Sequence, residues 1–281
     1  MDLSKVLVTG ADGMVGSYIN FGIKTNRRSF DITDFRGTLA GVEKYRPSAI
    51  LHLAAETDVD RCERDPLRAY LVNSIGTWNV AFAAKQVGAK VIYISTSYVF
   101  SGEAKEPFKE SDIPSPPTYY GKSKWLGEIA IRNILDDYLI LRAGWMFGGG
   151  PKLDQKFIAK IVKQLGNPEI KAVDDVTGSM TFAKDLVEKI KGYLLAVPPG
   201  GSLGGKIIHV FNGDSCSRYD VAAEIAKIGK SAAKVEPVPS TYFKLDAARG
   251  HSDRMESAEG GVMRSWKEAL AEYLHEEWNL E

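Results

Sequence analysis

Tyr120 and Lys124 stand four residues apart in the run Thr118-Tyr119-Tyr120-Gly121-Lys122-Ser123-Lys124, downstream of an apolar run that ends in Ser95-Thr96-Ser97. Residues four apart on a helix share a face, so the Lys124 ammonium can lie beside the Tyr120 hydroxyl and stabilise its phenolate. A phenol with an unperturbed pKa of about 10 would then fall toward working pH and become a usable proton donor. Neighbouring Tyr119 and Lys122 lack a partner at that spacing. A Tyr and a Lys four apart also occur by chance in a chain of this size, so the surrounding elements must supply the specificity.

Those elements read as an α/β protein. Short apolar runs at Val6 to Thr9, Ala49 to Leu53, Lys90 to Ser95 and Tyr138 to Leu141 alternate with helical patterns, as in a parallel sheet covered on both faces. Pro66 to Val87 has the length and apolar spacing of one crossover helix, and Tyr119 to Leu135 has the same character. Gly10, Gly13 and Gly16 follow the first run directly. Glycines at a strand-to-helix turn let the backbone approach a dinucleotide pyrophosphate, and the helix N-terminus offers unpaired amides. Ser17 to Asn26 is short for a helix and a second strand, so the first helix is expected to be truncated. No acid stands at a clear strand end to hold a ribose 2'-hydroxyl, whereas Arg27 and Arg28 suit a 2'-phosphate; NADP is favoured, with NAD also admitted.

Beyond Gly148-Gly149-Gly150-Pro151 the alternation fails, and breakers recur at Pro198-Pro199-Gly200-Gly201. Ala183 to Leu195 and Arg218 to Ile228 still read as helices and Ile207 to Val210 as a strand. The expected architecture is a Rossmann-type, doubly wound parallel sheet with a smaller C-terminal substrate lobe. Residues 1–150 would form the dinucleotide-binding domain, with 183–212 returning to it, and 151–182 with 213–281 the lobe. The 281 residues are 44% hydrophobic, and Lys plus Arg equals Asp plus Glu at 36 each. That size supports a substantial core, and the balance gives no global attraction to nucleic acid or a membrane surface. Val6-Leu7-Val8 is far shorter than a signal sequence or spanning helix, so a cytoplasmic protein is expected. Cys62 and Cys216 are too few for a disulfide framework, and neither they nor the His residues have metal-ligand spacing, so no metal is expected.

Taken together, the ordered motifs resemble the extended short-chain dehydrogenase/reductase family and, within it, the dTDP-4-dehydrorhamnose reductases. They include the GxxGxxG loop, Asp31-Ile32-Thr33-Asp34, Leu53-Ala54-Ala55-Glu56-Thr57-Asp58-Val59-Asp60, Val72-Asn73-Ser74-Ile75-Gly76-Thr77, Ser95-Thr96-Ser97-Tyr98-Val99-Phe100, the Tyr120/Lys124 pair and Leu141-Arg142-Ala143-Gly144-Trp145. The resemblance implies reduction of a nucleotide-linked 4-keto-6-deoxysugar by NADP(H) or NAD(H). Thr96, Tyr120 and Lys124 would be the catalytic group, with Thr96 bonding the substrate carbonyl and Lys124 also holding the nicotinamide ribose. Gly10, Asp12, Gly13, Met14, Val15, Arg27, Asp31, Ile32, Leu53, Ala54 and Ala55 would join Tyr120 and Lys124 around the cofactor. Thr57, Val59, Thr96, Ser97, Tyr98, Trp145 and Arg249 would meet the sugar nucleotide, with the Trp145 face beside the deoxysugar and Arg249 near the diphosphate. The resemblance also admits a homodimer.

The chain departs from the family pattern at Ser97, where Asp is usual, at Met180, where Pro is usual, and at Gly250, where Pro is usual after the Arg. Two other functions share much of this machinery: a sugar-nucleotide epimerase of the same family, and a regulatory subunit like the beta subunit of methionine adenosyltransferase. A 4,6-dehydratase is disfavoured, because Ser97-Tyr98 stand where dehydratases carry an Asp-Glu pair.

Overall fold

The computed structural model describes residues 1–280. Its strands are β1 Val6–Thr9, β2 Ile23–Lys24, β3 Ala49–His52, β4 Lys90–Thr96, β5 Tyr138–Ala143, β6 Trp145–Phe147, β7 Glu169–Val173, β8 Thr177–Phe182, β9 Lys206–Ser217, β10 Lys234–Val238, β11 Ser252–Asp253 and β12 Val262–Ser265. The helices are α1 Met14–Ser17, α2 Phe35–Tyr45, α3 Val59–Arg64, α4 Pro66–Tyr70, α5 Thr77–Val87, α6 Tyr119–Ile134, α7 Gly150–Leu153, α8 Phe157–Val162, α9 Ala183–Ala196, α10 Arg218–Ile228 and α11 Trp266–Trp278.

The large sheet runs β2-β1-β3-β4-β5-β9-β8-β11. From β2 to β9 neighbouring strands are parallel, with Val6 beside Ala49, Val91 beside Tyr138 and Ile140 beside Ile207. β8 then runs antiparallel to β9. Strands β1 and β3 are buried at every position, as near-continuous apolar runs must be when helices cover both faces. Their alternating side chains split into separate layers. Val6, Val8, Leu51, Ile92 and Leu141 pack with Leu186, Ile190 and Leu194 of α9. Leu7, Ile50, Val91 and Ile140 face the other way, onto Val42 of α2, Val80 of α5 and Ile131 of α6. Ile158, Ile170, Phe182, Val221, Ile225, Trp266 and Leu270 form a further core among α8, β7, β8, α10 and α11, and β7 and β10 pair in a separate small sheet.

The run expected as one helix over Pro66 to Val87 is instead α4, a π-helical stretch over Leu71–Gly76, and α5. Polar side chains in the widened turn explain the difference. Asn73 accepts from the Glu56 amide at 2.8 Å and donates to the Glu56 carbonyl and Ser123 Oγ, while Ser74 Oγ donates to the Ser123 carbonyl. These bonds tie the helix to the β3–α3 loop and to α6, beside the functional site.

Candidate active site

A cleft of about 930 Å³ opens along the carboxyl ends of β1, β3, β4 and β5, with residues around α7 and α8, Arg218 and Arg249 also lining it. Ligands of open α/β sheets bind in this position. At one end β1 delivers the glycine turn. Gly10 has φ +68°, and a Cβ there would lie 2.6 Å from the Ala54 amide nitrogen, so only glycine lets the turn press against the β3 loop. Gly13 precedes α1 without any side-chain cap, which leaves first-turn amides available to an anion. Bare backbone and small Ala54 and Ala55 therefore fit a dinucleotide pyrophosphate. Beneath the turn, the His52 ring is bridged between Thr9 Oγ1 at 2.7 Å and Thr77 Oγ1 at 3.1 Å. Burial pushes its imidazole down to about 3, with the Lys124 charge adding to the shift, so it supports the turn as a neutral ring.

Thr96 ends β4, and Thr118 starts α6 by accepting from the Gly121 amide at 3.1 Å. Gly121 packs so closely on the Tyr98 carbonyl that a Cβ would lie 2.1 Å from it. This cap and contact bring Tyr120 to the end of β4. Tyr120 is only 8% exposed, packed with Cys62, Ala69 and Tyr98.

The expected depression of the Tyr120 phenol does not occur. Burial pushes it well above its ordinary range, and only the neighbouring Thr96 hydroxyl pulls substantially the other way. The cause is the direction of Lys124, whose Nζ turns toward β4, donating to the Ile94 carbonyl at 2.7 Å and lying 4.0 Å from the Tyr93 ring centroid. Burial lowers Lys124 to about 7, partly offset by Glu128.

Nearly all of the residues expected at the site line this cleft: Thr96, Tyr120 and Lys124; the glycine-turn and adenosine-side residues from Gly10 to Ala55; and Thr57, Val59, Tyr98, Trp145 and Arg249. Ser97 is the exception. It starts a short 3-10 turn, is 1% exposed, is not among the lining residues, and its Oγ has no hydrogen-bond partner among the described residues. Trp145 lines the cleft and is fixed there by two contacts. Its Nε1 donates to Asp253 at 2.8 Å, and the guanidinium carbon of Arg218 lies 3.8 Å from its ring centroid. Arg249 is held by Asp60 at 2.9 Å and by the Ala247 carbonyl. Arg27 pairs with Asp31 at 2.7 Å, whereas Arg28 is not among the lining residues.

Sequence reasoning did not single out Asn26, Lys156, Phe157 or Arg218, all of which line the cleft. For Arg218 a local signal existed: Ser217 and Asp220 form a capping box that fixes the start of α10. Nothing in that box states which way its first side chain turns. Among the described residues, no group of three or more His, Cys, Asp or Glu side chains gathers as a metal site, and no helix is long and apolar enough to cross a membrane. Both cysteines are free and buried.

The family model described as the RmlD substrate binding domain matches residues 4–278. Spore coat polysaccharide biosynthesis protein SpsK of Bacillus subtilis (strain 168) is 35% identical, over 98% of this chain and 98% of its own. A dTDP-4-dehydrorhamnose reductase of Mycobacterium tuberculosis (strain H37Rv) is 31% identical, over 96% of this chain and 92% of its own. The crystal structure of dTDP-4-dehydrorhamnose reductase from Bacillus anthracis, solved in complex with NADP, superposes with a TM-score of 0.89 at 32% identity, covering 96% of this chain and 98% of that one. With a parallel Rossmann-type sheet, a glycine turn and a Thr/Tyr/Lys cleft already in place, these matches make the chain a member of the RmlD substrate-binding-domain family.

Proposed function

We propose that this protein is an NADPH-dependent reductase of a nucleotide-linked 4-keto-6-deoxysugar, dTDP-4-dehydrorhamnose in the first instance. The observation that carries the reading is that Thr96, Tyr120 and Lys124 line one cleft with the glycine turn. Named relatives at 31% identity support the same activity. When bound, NADPH supplies hydride to the ketone carbon. Burial keeps the Tyr120 phenol protonated, the form a proton donor must have, and its proton passes to the ketone oxygen as negative charge develops there. The product is the secondary alcohol. Thr96 Oγ1 donates a hydrogen bond to the same oxygen, and Lys124, held against β4 by the Ile94 carbonyl, is placed to bind the nicotinamide ribose. Arg27 and Asn26, beyond the end of β2, are suited to the adenosine 2'-phosphate.

The decisive experiment adds dTDP-4-dehydro-6-deoxy-L-mannose to enzyme and NADPH and follows loss of the reduced nicotinamide absorbance. Turnover that requires the sugar nucleotide and vanishes in Tyr120→Phe is expected. Binding of NADPH and sugar nucleotide without turnover would instead assign a regulatory role.

The reading divides the chain as residues 1–150 with 183–212 for the cofactor and 151–182 with 213–281 for the sugar nucleotide, and it places the enzyme in the cytoplasm. It also includes a homodimer. Leu67, Leu71, Ile75 and Trp78 are exposed along the helical run from α4 to α5, with Leu126 exposed on neighbouring α6. Such a stripe suits a second copy of the same face. Sedimentation of wild type against Leu71→Glu tests the assembly.

A further inference from the structure

Arg218 is a cation with no contact ion pair among the described residues, Asp253 acting on it only through its charge. It opens α10 at the position after the Ser217 cap, lines the cleft, and has its guanidinium carbon over two aromatic rings, 3.8 Å from the Trp145 centroid and 4.9 Å from that of Phe157. Among the described residues its guanidinium has neither an ion pair nor a hydrogen bond. The nearby acid, Asp253, accepts from Trp145 Nε1 instead. Keeping a guanidinium in a cleft with no hydrogen-bond partner for its N–H groups is costly, whereas those same free donors can bind two oxygens of one anion. The other arginine on this side, Arg249, already spends donors on Asp60 and on the Ala247 carbonyl.

We infer that Arg218 binds the diphosphate of the nucleotide-linked substrate, making this guanidinium over the Trp145 ring a substrate-binding residue of this chain; this rests on the reductase reading above. The position is consistent with a keto-sugar reacting at Tyr120. Tyr98 packs edge-on against Tyr120 at 5.9 Å between ring centroids, and the charges of both Arg249 and Arg218 act on Tyr98. Arg218, Tyr98 and Tyr120 all line the one cleft, so a sugar nucleotide bound there can meet both the guanidinium and the proton donor. A neutral 6-deoxysugar offers no anion of its own, and the cofactor's pyrophosphate belongs at the glycine turn. Among the ligands of the proposed reaction, the substrate diphosphate remains as the partner.

The test titrates NADPH-loaded wild type and Arg218→Gln with dTDP and with thymidine by calorimetry, alongside NADPH titrations of the cofactor-free proteins. UDP and GDP serve as further diphosphate arms. Loss of a charge-assisted pair predicts dTDP binding weaker by about 10- to 100-fold. Thymidine and NADPH affinities stay within about twofold, the latter also reporting a folded variant, and Arg218→Lys recovers part of the loss. In steady-state assays the effect falls mainly on KM. Equal dTDP affinity in wild type and Arg218→Gln, equal losses for thymidine and dTDP, or a wild type that binds none of the nucleoside diphosphates would each overturn the inference. Wild-type turnover of the keto-sugar with no dependence on Arg218 overturns this inference alone. Arg218-dependent dTDP binding without NADPH oxidation overturns the reductase reading and leaves this one standing.

Discussion

Lys124 Nζ donates a 2.7 Å hydrogen bond to the carbonyl oxygen of Ile94, so the ammonium is anchored to the strand that carries Thr96 rather than to the Tyr120 hydroxyl. Lys124 is only 3% exposed, and burial lowers it to about 7, against an ordinary value of 10.5. The folded protein therefore binds fewer protons here than the unfolded chain between about pH 7 and pH 10.5. Below that window the full cost of burying the charge is present, and it is relieved as pH rises. Lys124→Met removes the cost. We expect the variant to lose turnover and to be more stable than wild type near pH 6, with the gap narrowing toward pH 10. Urea unfolding at both pH values checks this, and a gap that widens with pH would contradict it.

Tyr120 and Thr96 separate by their controls. Tyr120→Phe removes the proton and should lower kcat by about 10²- to 10⁴-fold while NADPH affinity is retained. Thr96 has a second task, because its Oγ1 accepts from the Tyr98 amide at 3.2 Å and caps the turn after β4. Thr96→Ser keeps both the cap and the donor and should keep most activity. Thr96→Val loses both and should drop kcat by about 10²-fold or more. Equal activity of the Val and Ser variants would remove Thr96 from the chemistry.

Behind the site, Glu128 and Arg142 form a buried pair at 2.8 Å, with side chains 1% and 2% exposed, and Ser95 Oγ donates to the same carboxylate. Breaking such a pair strands a charge in the core. Glu128→Gln should therefore cost about 3–5 kcal/mol, whereas the double replacement Glu128→Met/Arg142→Met should cost much less than the sum of its single changes. A four-member unfolding cycle measures the coupling. Additive losses would mean that each side chain acts through packing alone.

Local relationships were the legible part of this molecule. The apolar runs gave the parallel strands, the glycine spacing gave the turn, and Tyr120 and Lys124 lie on one helix because their separation is set by helical geometry. What could not be read depends on neighbours supplied by the tertiary fold. The π stretch at Leu71–Gly76 arises where Asn73 meets Glu56 and Ser123, and the orientation of Trp145 depends on Asp253, 108 residues away. Lys124 lies on the helix face that its spacing predicts, but its ammonium answers to the Ile94 carbonyl and the Tyr93 ring, contacts invisible to a four-residue spacing. Arg218 escaped notice for a related reason, since a capping box fixes a helix start and leaves open what the first side chain will face.

Cofactor choice should turn on Arg27. Its Nε donates to Asp31 at 2.7 Å while the side chain remains 73% exposed, so the remaining guanidinium nitrogens are available to a phosphate. Burial works to raise the Asp31 carboxyl, but hydrogen bonds from Thr33 and Arg27 outweigh it and hold the group below its usual range. Asp31 thus stays ionised at neutral pH and orients Arg27 without requiring a stable core contact. An exposed pair of this kind contributes little to folding, about 0–1 kcal/mol, so Arg27→Ala should leave the unfolding midpoint nearly unchanged. The same change removes a charged partner of the 2'-phosphate and should weaken NADPH by about 10-fold, with NADH altered less than about twofold. Fluorescence titration with both cofactors decides the matter. A parallel loss for NADH would show that Arg27 supports the adenosine pocket generally, and unchanged NADPH binding would assign the 2'-phosphate to other groups at the end of β2.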